Sequence, residues 1–427
     1  MVDARTTRNR TLLLLGAGFE QIEALCVARE LGYRTVAFDN DEGAAGRAHA
    51  DAFERVDLKD PDALLYAAER ARPDGVFVHA AELAVECARV AETLDLPGIG
   101  VESALDATDK SRRIVRLGQA GIRTPRHVVL DADERDPRAW LDATRSIAFP
   151  KILKPTNQAG ARGVELVSDE AALTAYHGRR AAFGCERFVC EERLRGLELS
   201  TESIAIAGKP VHHAIARRHY DTTAHLHPHF IEDGHSMPHA LPLALRAEIE
   251  SVIERCFGAL GIATGVLKGD LLVDADGTVH VLEMAARTSG GRFADTVVPL
   301  SSGVHILYPL IALAMGDAPR PDDLTPCREA GVSQRFFLHD GPARVRRWPA
   351  LRRLVARPGV AHVKLDEAKL AGGLLPRIRS HRDRLGYVIC TGPTRDEADR
   401  LALEITGAFA RALALEPATE PAAEAER

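Results

Sequence analysis

Nothing constrains the folding of this chain more than the run TGVLKGDLLVDADGTVHVLEMAARTSGG at residues 264–291. Apolar and polar residues alternate on either side of Asp276-Gly277, the pattern of two antiparallel strands joined by a tight turn. The first strand is expected to end in Asp270 and the second in Glu283, with Arg287 just beyond. Residues i and i+2 share a face, so the two carboxylates can converge. Two carboxylates beside an arginine, with lysines upstream, suit Mg2+ carried on nucleotide phosphates, because Mg2+ takes oxygen ligands and completes its shell with phosphate and water.

The rest of the chain provides ample core for such a site. Its 427 residues allow about two to four domains. A net charge of -6 with basic residues scattered among acids gives no footprint for nucleic acid, and the locally basic segment 344–357 reads as a solvated face. The apolar stretch near the start is too short for a secretory segment, and no run approaches a membrane-spanning length, so no membrane partner is expected. The seven cysteines form no CxxC pair, which fits a reducing cytoplasm and argues against a disulfide framework or zinc site.

Four parts follow in order. Residues 1–108 alternate strand and helix (TLLLLGAG, QIEALCVARELGY, RTVAFD, PDGVFVHA, ELAVECARVAETLDL), which predicts a Rossmann-like parallel sheet wrapped by helices, hence an α/β fold. The turn Gly16-Ala17-Gly18, with Asp39 ending the next strand, is only part of a dinucleotide fingerprint, because Ile22 stands where the third glycine would be. It reads as a structural turn. In residues 109–190, Asp109-Lys110 opens a helix, and FPKILKPTNQAGARGVELV sets Lys154 before a glycine-rich turn whose backbone N–H groups can approach phosphates. Residues 191–316 open with EERLRGLELS and contain the acidic hairpin. Residues 317–415 read as a small strand-rich lobe without chemistry of its own, and 416–427 as a disordered tail.

Taken in order, the DK pair, FPKILKP with its glycine turn, FVCEERLRGLELS, the Asp270 and Glu283 pair and the following arginine resemble the ATP-grasp superfamily of carboxylate ligases. Within it, FIEDGHSMPHALP and EMAARTSGG are similar to the L-amino acid ligases that make dipeptides, of the bacilysin-synthetase type, and DRLGYVICTGPTRDEADRLA resembles the closing segment of biotin-carboxylase-like members. The resemblance implies an ATP-grasp fold, with a domain preceding the grasp, a two-subdomain core and a C-terminal lobe. It implies that Lys110 and Lys154 hold ATP phosphates under the backbone of Ala159, Gly160 and Gly163. Glu191 and Leu194 would meet adenine and Glu198 the ribose. Asp270 and Glu283 would bind one or two Mg2+, or Mn2+. Arg287 would face an acyl phosphate and its tetrahedral adduct, assisted by Lys268, while Glu232 and His235 would lie by the amino substrate.

The implied reaction joins a small-molecule carboxylate to an amine through an acyl phosphate, releasing ADP and phosphate, in a homodimeric enzyme. A mobile phosphate turn and the histidine-rich loop 220–241 would serve as lids. Four positions depart from the family pattern: Ala285 stands where asparagine is frequent, Asp270 where glutamate is commoner, Ala161 where serine is frequent, and Lys268 where histidine or arginine is found, facing the same way as Asp270 so that it could help hold phosphate. The alternative is a carboxylase that activates bicarbonate, like biotin carboxylase or the purine-pathway enzyme. Those relatives carry a longer glycine-rich loop and a histidine- and glutamate-bearing segment after the final arginine, whereas here Arg287 is followed by TSGGRFAD.

Overall fold

The computed structural model describes residues 10–419. It begins with four parallel strands, β1 (Thr11–Leu15), β2 (Arg34–Asp39), β3 (Ala52–Arg55) and β4 (Gly75–Val78), in spatial order β3-β2-β1-β4. Every residue of β1 is buried, as expected where helices cover both faces of a parallel sheet. Leu13 and Leu15 share a cluster with Leu64, Ala67 and Val90 of the helices Pro61–Ala71 and Ala84–Thr93. Leu12 and Leu14, on the other face, share one with Leu25 of the helix Ile22–Glu30 and with Leu310 and Ile311 of the distant helix Leu307–Ala314. Asp39 accepts from the Ala17 N–H at 2.7 Å, so its carboxylate braces the Gly16-Ala17-Gly18 turn.

A second sheet, antiparallel, contains β5 (His127–Asp131), β6 (Lys151–Pro155), β7 (Glu165–Val167) and β8 (Arg187–Glu192) in the order β5-β8-β6-β7. It has its own core of Leu130, Trp140, Leu153, Tyr176 and Phe188. The helix Lys110–Gln119, expected with this part, instead buries Leu117 in the core of the third.

The third sheet has eight strands: β9 (Leu197–Ile206), β10 (Lys209–His219), β11 (Gly234–Met237), β12 (Gly265–Val273), β13 (Val279–Ala285), β14 (Gly331–Phe336), β16 (Val360–Leu365) and β18 (Gly386–Gly392). Their order is β13-β12-β9-β10-β11-β14-β18-β16. Leu199 of β9 and Leu267 and Leu271 of β12 pack beneath the helix Leu243–Ala259 through Ile249, Val252 and Phe257. Alternation then turns Glu198, Ser200, Lys268 and Asp270 to the opposite face, where they line a cleft.

Three sequence expectations are corrected here. The strands of the expected C-terminal lobe do not stand apart: β14, β18 and β16 extend the third sheet, and only β15 (Ala343–Arg347), β17 (Leu374–Leu375) and β19 (Ala414–Pro417) form a separate small one. Glu416 and Pro417, assigned to the disordered tail, pair with Arg344 and Ala343, because β15 offers an open edge; residues 420–427 lie outside the described residues. The expected lid loop 220–241 contains β11, whose four residues are buried between β10 and β14. Polar GHSM has no strand-like hydrophobic pattern, but Gly234 allows the approach: a Cβ there would stand 2.0 Å from the Gln334 carbonyl oxygen. Among the described residues, no helix is long and apolar enough to cross a membrane.

Candidate functional site

The acidic pair converges through a distortion of the hairpin. Leu271 pairs with Val281, but Asp270 pairs with Glu283, so Leu282 is an extra residue. Strict alternation from core-facing Val279 and Val281 would have turned Glu283 into the core. The bulge flips it onto the cleft face opposite Asp270. Asp270 lies within β12 rather than at its end. Lys268, two residues before Asp270, lies between the carboxylates, its Nζ 2.5 Å from Asp270 Oδ2 and 3.4 Å from Glu283 Oε2. Burial opposes ionisation of Glu283, yet Lys268, Lys110, Arg113 and Arg287 together hold its carboxyl well below the usual range. Two hard oxygen donors already surrounding a positive charge fit Mg2+ or Mn2+. No group of three or more His, Cys, Asp or Glu side chains able to hold a metal occurs among the described residues, so the remaining ligands of such an ion would be phosphate and water.

Lys110 and Lys154 reach the cleft from neighbouring elements, the helix Lys110–Gln119 and β6. Asp109 caps the helix Lys110–Gln119 by accepting from the Arg112 N–H. Lys110, at the first turn, donates from Nζ to the Gln158 carbonyl at 2.5 Å, and burial pulls its ammonium down to about 8. Lys154 on β6 makes a buried ion pair with Glu191 on the neighbouring β8 at 2.7 Å. Ala159, Gly160, Leu194 and Glu198 line the same cleft, and burial pushes the Glu198 carboxyl up to about 6.

Gly163 does not line it. Its carbonyl accepts from the Tyr176 hydroxyl at 2.7 Å, and the residue packs against Phe183 and Pro155 in the core of the second sheet. With φ at +68° and a Cβ that would stand 2.8 Å from the Phe183 ring, Gly163→Ala is expected to cost about 2 kcal/mol, read from the urea unfolding midpoint.

Arg287, Glu232 and His235 complete the expected set in the cleft. Arg287 donates from Nε to Glu82 Oε1 at 2.8 Å, which ties the loop after β4 to the site. His235 on β11 has Nδ1 3.3 Å from Glu232 Oε1, while its Nε2 is buried without a partner. Burial works against the Glu232 charge, but Arg218, His235 and Arg384 hold its carboxyl well below the usual range.

Several side chains in or just behind the cleft had no sequence signal. Arg218 on β10 lies 2.7 Å from Asp270 and 3.1 Å from Glu232. Glu202, fully buried on β9, accepts from the Ser289 N–H at 3.1 Å and so fixes the turn after Arg287. His381 and Arg384 enter from the C-terminal part, whose sequence carries no motif with chemistry of its own. They arrive because β14 and β18 extend the sheet beside β11, a pairing that no local pattern encodes. The histidine run disperses: His219 meets Ser236, His239 meets Arg395, and His229 lies 4.0 Å from Glu165.

Comparisons with known proteins bear on the fold and the family. An ATP-grasp domain model matches residues 147–296, and L-amino acid ligase C-terminal domain 2 matches residues 335–409. A D-alanine–D-alanine ligase of Azoarcus sp. (strain BH72) is 28% identical over 239 residues, covering 54% of this chain and 75% of that protein. The L-amino acid ligase from Bacillus licheniformis superposes with a TM-score of 0.78 at 20% identity, over 96% of this chain and 100% of that one. A carboxyaminoimidazole ribonucleotide synthase from Aspergillus clavatus, solved with ATP, gives a TM-score of 0.74 at 13% identity, over 94% of this chain and 99% of that one. At these identities the superpositions establish a shared fold.

Proposed function

Because this chain belongs to the ATP-grasp superfamily of ligases, we propose that it joins a carboxylate to an amine at the expense of ATP, with an amino acid as one substrate. The observation that carries the reading is the bulged pairing of Asp270 with Glu283, which gathers two carboxylates, Lys268 and Arg287 into the cleft that Lys110 and Lys154 also line. A carboxylate does not condense with an amine unaided, because its oxygen is a poor leaving group. Transfer of the terminal phosphoryl group to the substrate carboxylate gives an acyl phosphate and ADP, and attack by the amine then expels phosphate and leaves an amide.

Each residue has work in that sequence. Lys110 and Lys154 bind the triphosphate beneath the turn of Ala159 and Gly160, while Glu191, Leu194 and Glu198 receive adenine and ribose. Asp270 and Glu283 hold one or two Mg2+, which when bound screens the phosphate charge. Arg287, with Lys268, faces the negative charge that grows on the acyl oxygen, a type of contact commonly worth about 3 kcal/mol of barrier. Glu232 accepts a hydrogen bond from His235 Nδ1–H, which leaves the Nε2 lone pair to take the proton of the attacking amine.

The test is phosphate release from Mg-ATP with amino acids supplied singly and in pairs, and products weighed by mass spectrometry. Release that requires two partners and yields their summed mass less water is the expected result. Release stimulated by bicarbonate, with no condensed product, would move the enzyme to the carboxylating class.

A further inference from the structure

In an open sheet of parallel strands, ligands usually bind in the crevice at the carboxyl ends of two neighbours whose connections leave in opposite directions. In the first sheet, with its order β3-β2-β1-β4, that crevice lies between β1 and β4. Here the chain itself fills it. The Gly291 N–H donates to Glu20 Oε2, beyond the end of β1, at 2.8 Å. The Ala80 N–H, just beyond β4, donates to Thr288 Oγ1 at 3.1 Å. The segment that follows β13 and carries Arg287 is thus seated on the first sheet.

Thr288 is the centre of that seat. It is fully buried and does not line the cleft, whereas Arg287 before it and Ser289 after it do. Its carbonyl accepts from Arg287 Nη1 at 3.1 Å, so where Thr288 sits bears directly on the guanidinium. Its hydroxyl, besides accepting from Ala80, lies 2.8 Å from Nδ1 of His79, a fully buried residue that follows the apolar strand β4. His79 Nε2 is 3.4 Å from Asp295 Oδ2, an oxygen that Arg292 Nη1 also approaches at 3.2 Å, and the His79 carbonyl accepts from Gln21 Nε2 at 2.6 Å. One assignment satisfies every group: the Thr288 hydroxyl donates to Nδ1, and Nε2–H donates to Asp295. Burial opposes the Asp295 charge, but His79 and Arg292 hold its carboxyl below the usual range.

The backbone bears the same mark. Ala80 takes φ of +52°, in the left-handed region that a residue with a side chain enters only where its surroundings fix it. Thr288, His79 and Asp295 all lie outside the cleft lining, so their hydrogen bonds act on the turn and not on a bound molecule. A buried polar chain of this kind specifies one arrangement when every member is satisfied. Resting on the ligase reading of Arg287, we propose that Thr288, His79 and Asp295 are positioning residues, a buried chain of hydrogen bonds by which the first sheet fixes the Arg287 guanidinium where charge grows on the acyl oxygen. The first sheet then contributes to the bond-forming step without touching the reactants.

The experiment compares wild type with Thr288→Val, which keeps the shape without the hydroxyl, and Thr288→Ser, which keeps the hydroxyl. Each is made alone and in an Arg287→Ala background, and phosphate release and product mass are followed with the substrates that wild type accepts. Thr288→Val is expected to lower kcat by about 30-fold while the KM for Mg-ATP stays within about twofold, and Thr288→Ser should keep kcat within about threefold. In the Arg287→Ala background Thr288→Val should cost less than about twofold more, because the group it positions is gone. His79→Gln, which keeps a donor for Asp295 but takes the acceptor from Thr288, should lower kcat in the same way; it decides the matter if Thr288→Val does not fold. A loss that persists undiminished without Arg287, that follows a fall in ATP affinity, or that Thr288→Ser shares in full would make the chain a structural support and overturn the proposal. Bicarbonate-stimulated phosphate release without amide, with the Thr288→Val loss still cancelled by Arg287→Ala, would overturn the ligase reading and leave the positioning role standing.

Discussion

Glu283→Gln is expected to lower substrate-dependent phosphate release by roughly 1,000-fold in a protein that still folds, its thermal midpoint lowered because Lys268, Lys110, Arg113 and Arg287 lose a carboxylate they face. The substitution keeps the shape of the side chain and removes one of the two negative charges that face each other across the β12–β13 bulge. The fold should tolerate it, because Lys268 retains Asp270 at 2.5 Å and the Glu283 side chain is 31% exposed. The loss should appear in kcat and in a raised requirement for Mg2+, both read from phosphate release at graded Mg2+. A loss below tenfold at saturating Mg2+ would mean that Glu283 does not hold the cation.

Arg335→Met should have the largest effect on stability. Arg335 on β14 is 4% exposed and holds two carboxylates, Asp233 at 2.6 Å and Asp399 at 2.8 Å. It thereby ties the segment entering β11 to the helix Arg395–Ala412. Removing it strands two buried or half-buried negative charges, at an expected cost of about 3–5 kcal/mol in urea unfolding. Adding Asp233→Asn and Asp399→Asn to the same chain should recover much of that loss, since the penalty lies in the unpaired carboxylates. Failure of the triple variant to recover would assign the effect to lost packing instead. Activity should fall with stability, because Glu232 precedes Asp233 and His235 follows two residues later.

Local pattern made much of this legible. Four leucines followed by a glycine turn announced β1, and the alternation around Asp276-Gly277 announced β12 and β13. What stayed hidden depends on distance along the chain. The bulge at Leu282 cannot be seen in a sequence whose alternation looks regular, yet it decides which face Glu283 takes. Arg218, His381 and Arg384 belong to no short motif; they meet because β10, β11, β14 and β18 are neighbours in space. Gly163 shows the reverse error. A glycine in a phosphate-type turn invites a ligand role, but its backbone angle serves the packing of Phe183 and Pro155.

The helix Leu307–Ala314 joins residues from the first sheet and from the third in one cluster, where Leu12 and Phe77 meet Ile204, Val332 and Ile389. That shared core sets where the chain can be recombined. A chimera that exchanged the first hundred or so residues with those of a relative would divide a single hydrophobic interior between two parents whose side chains never adjusted to one another. The second sheet, with Trp140 and Phe188 in an interior of its own, is the natural unit of exchange, and crossover points on either side of it would leave the rest of the architecture matched.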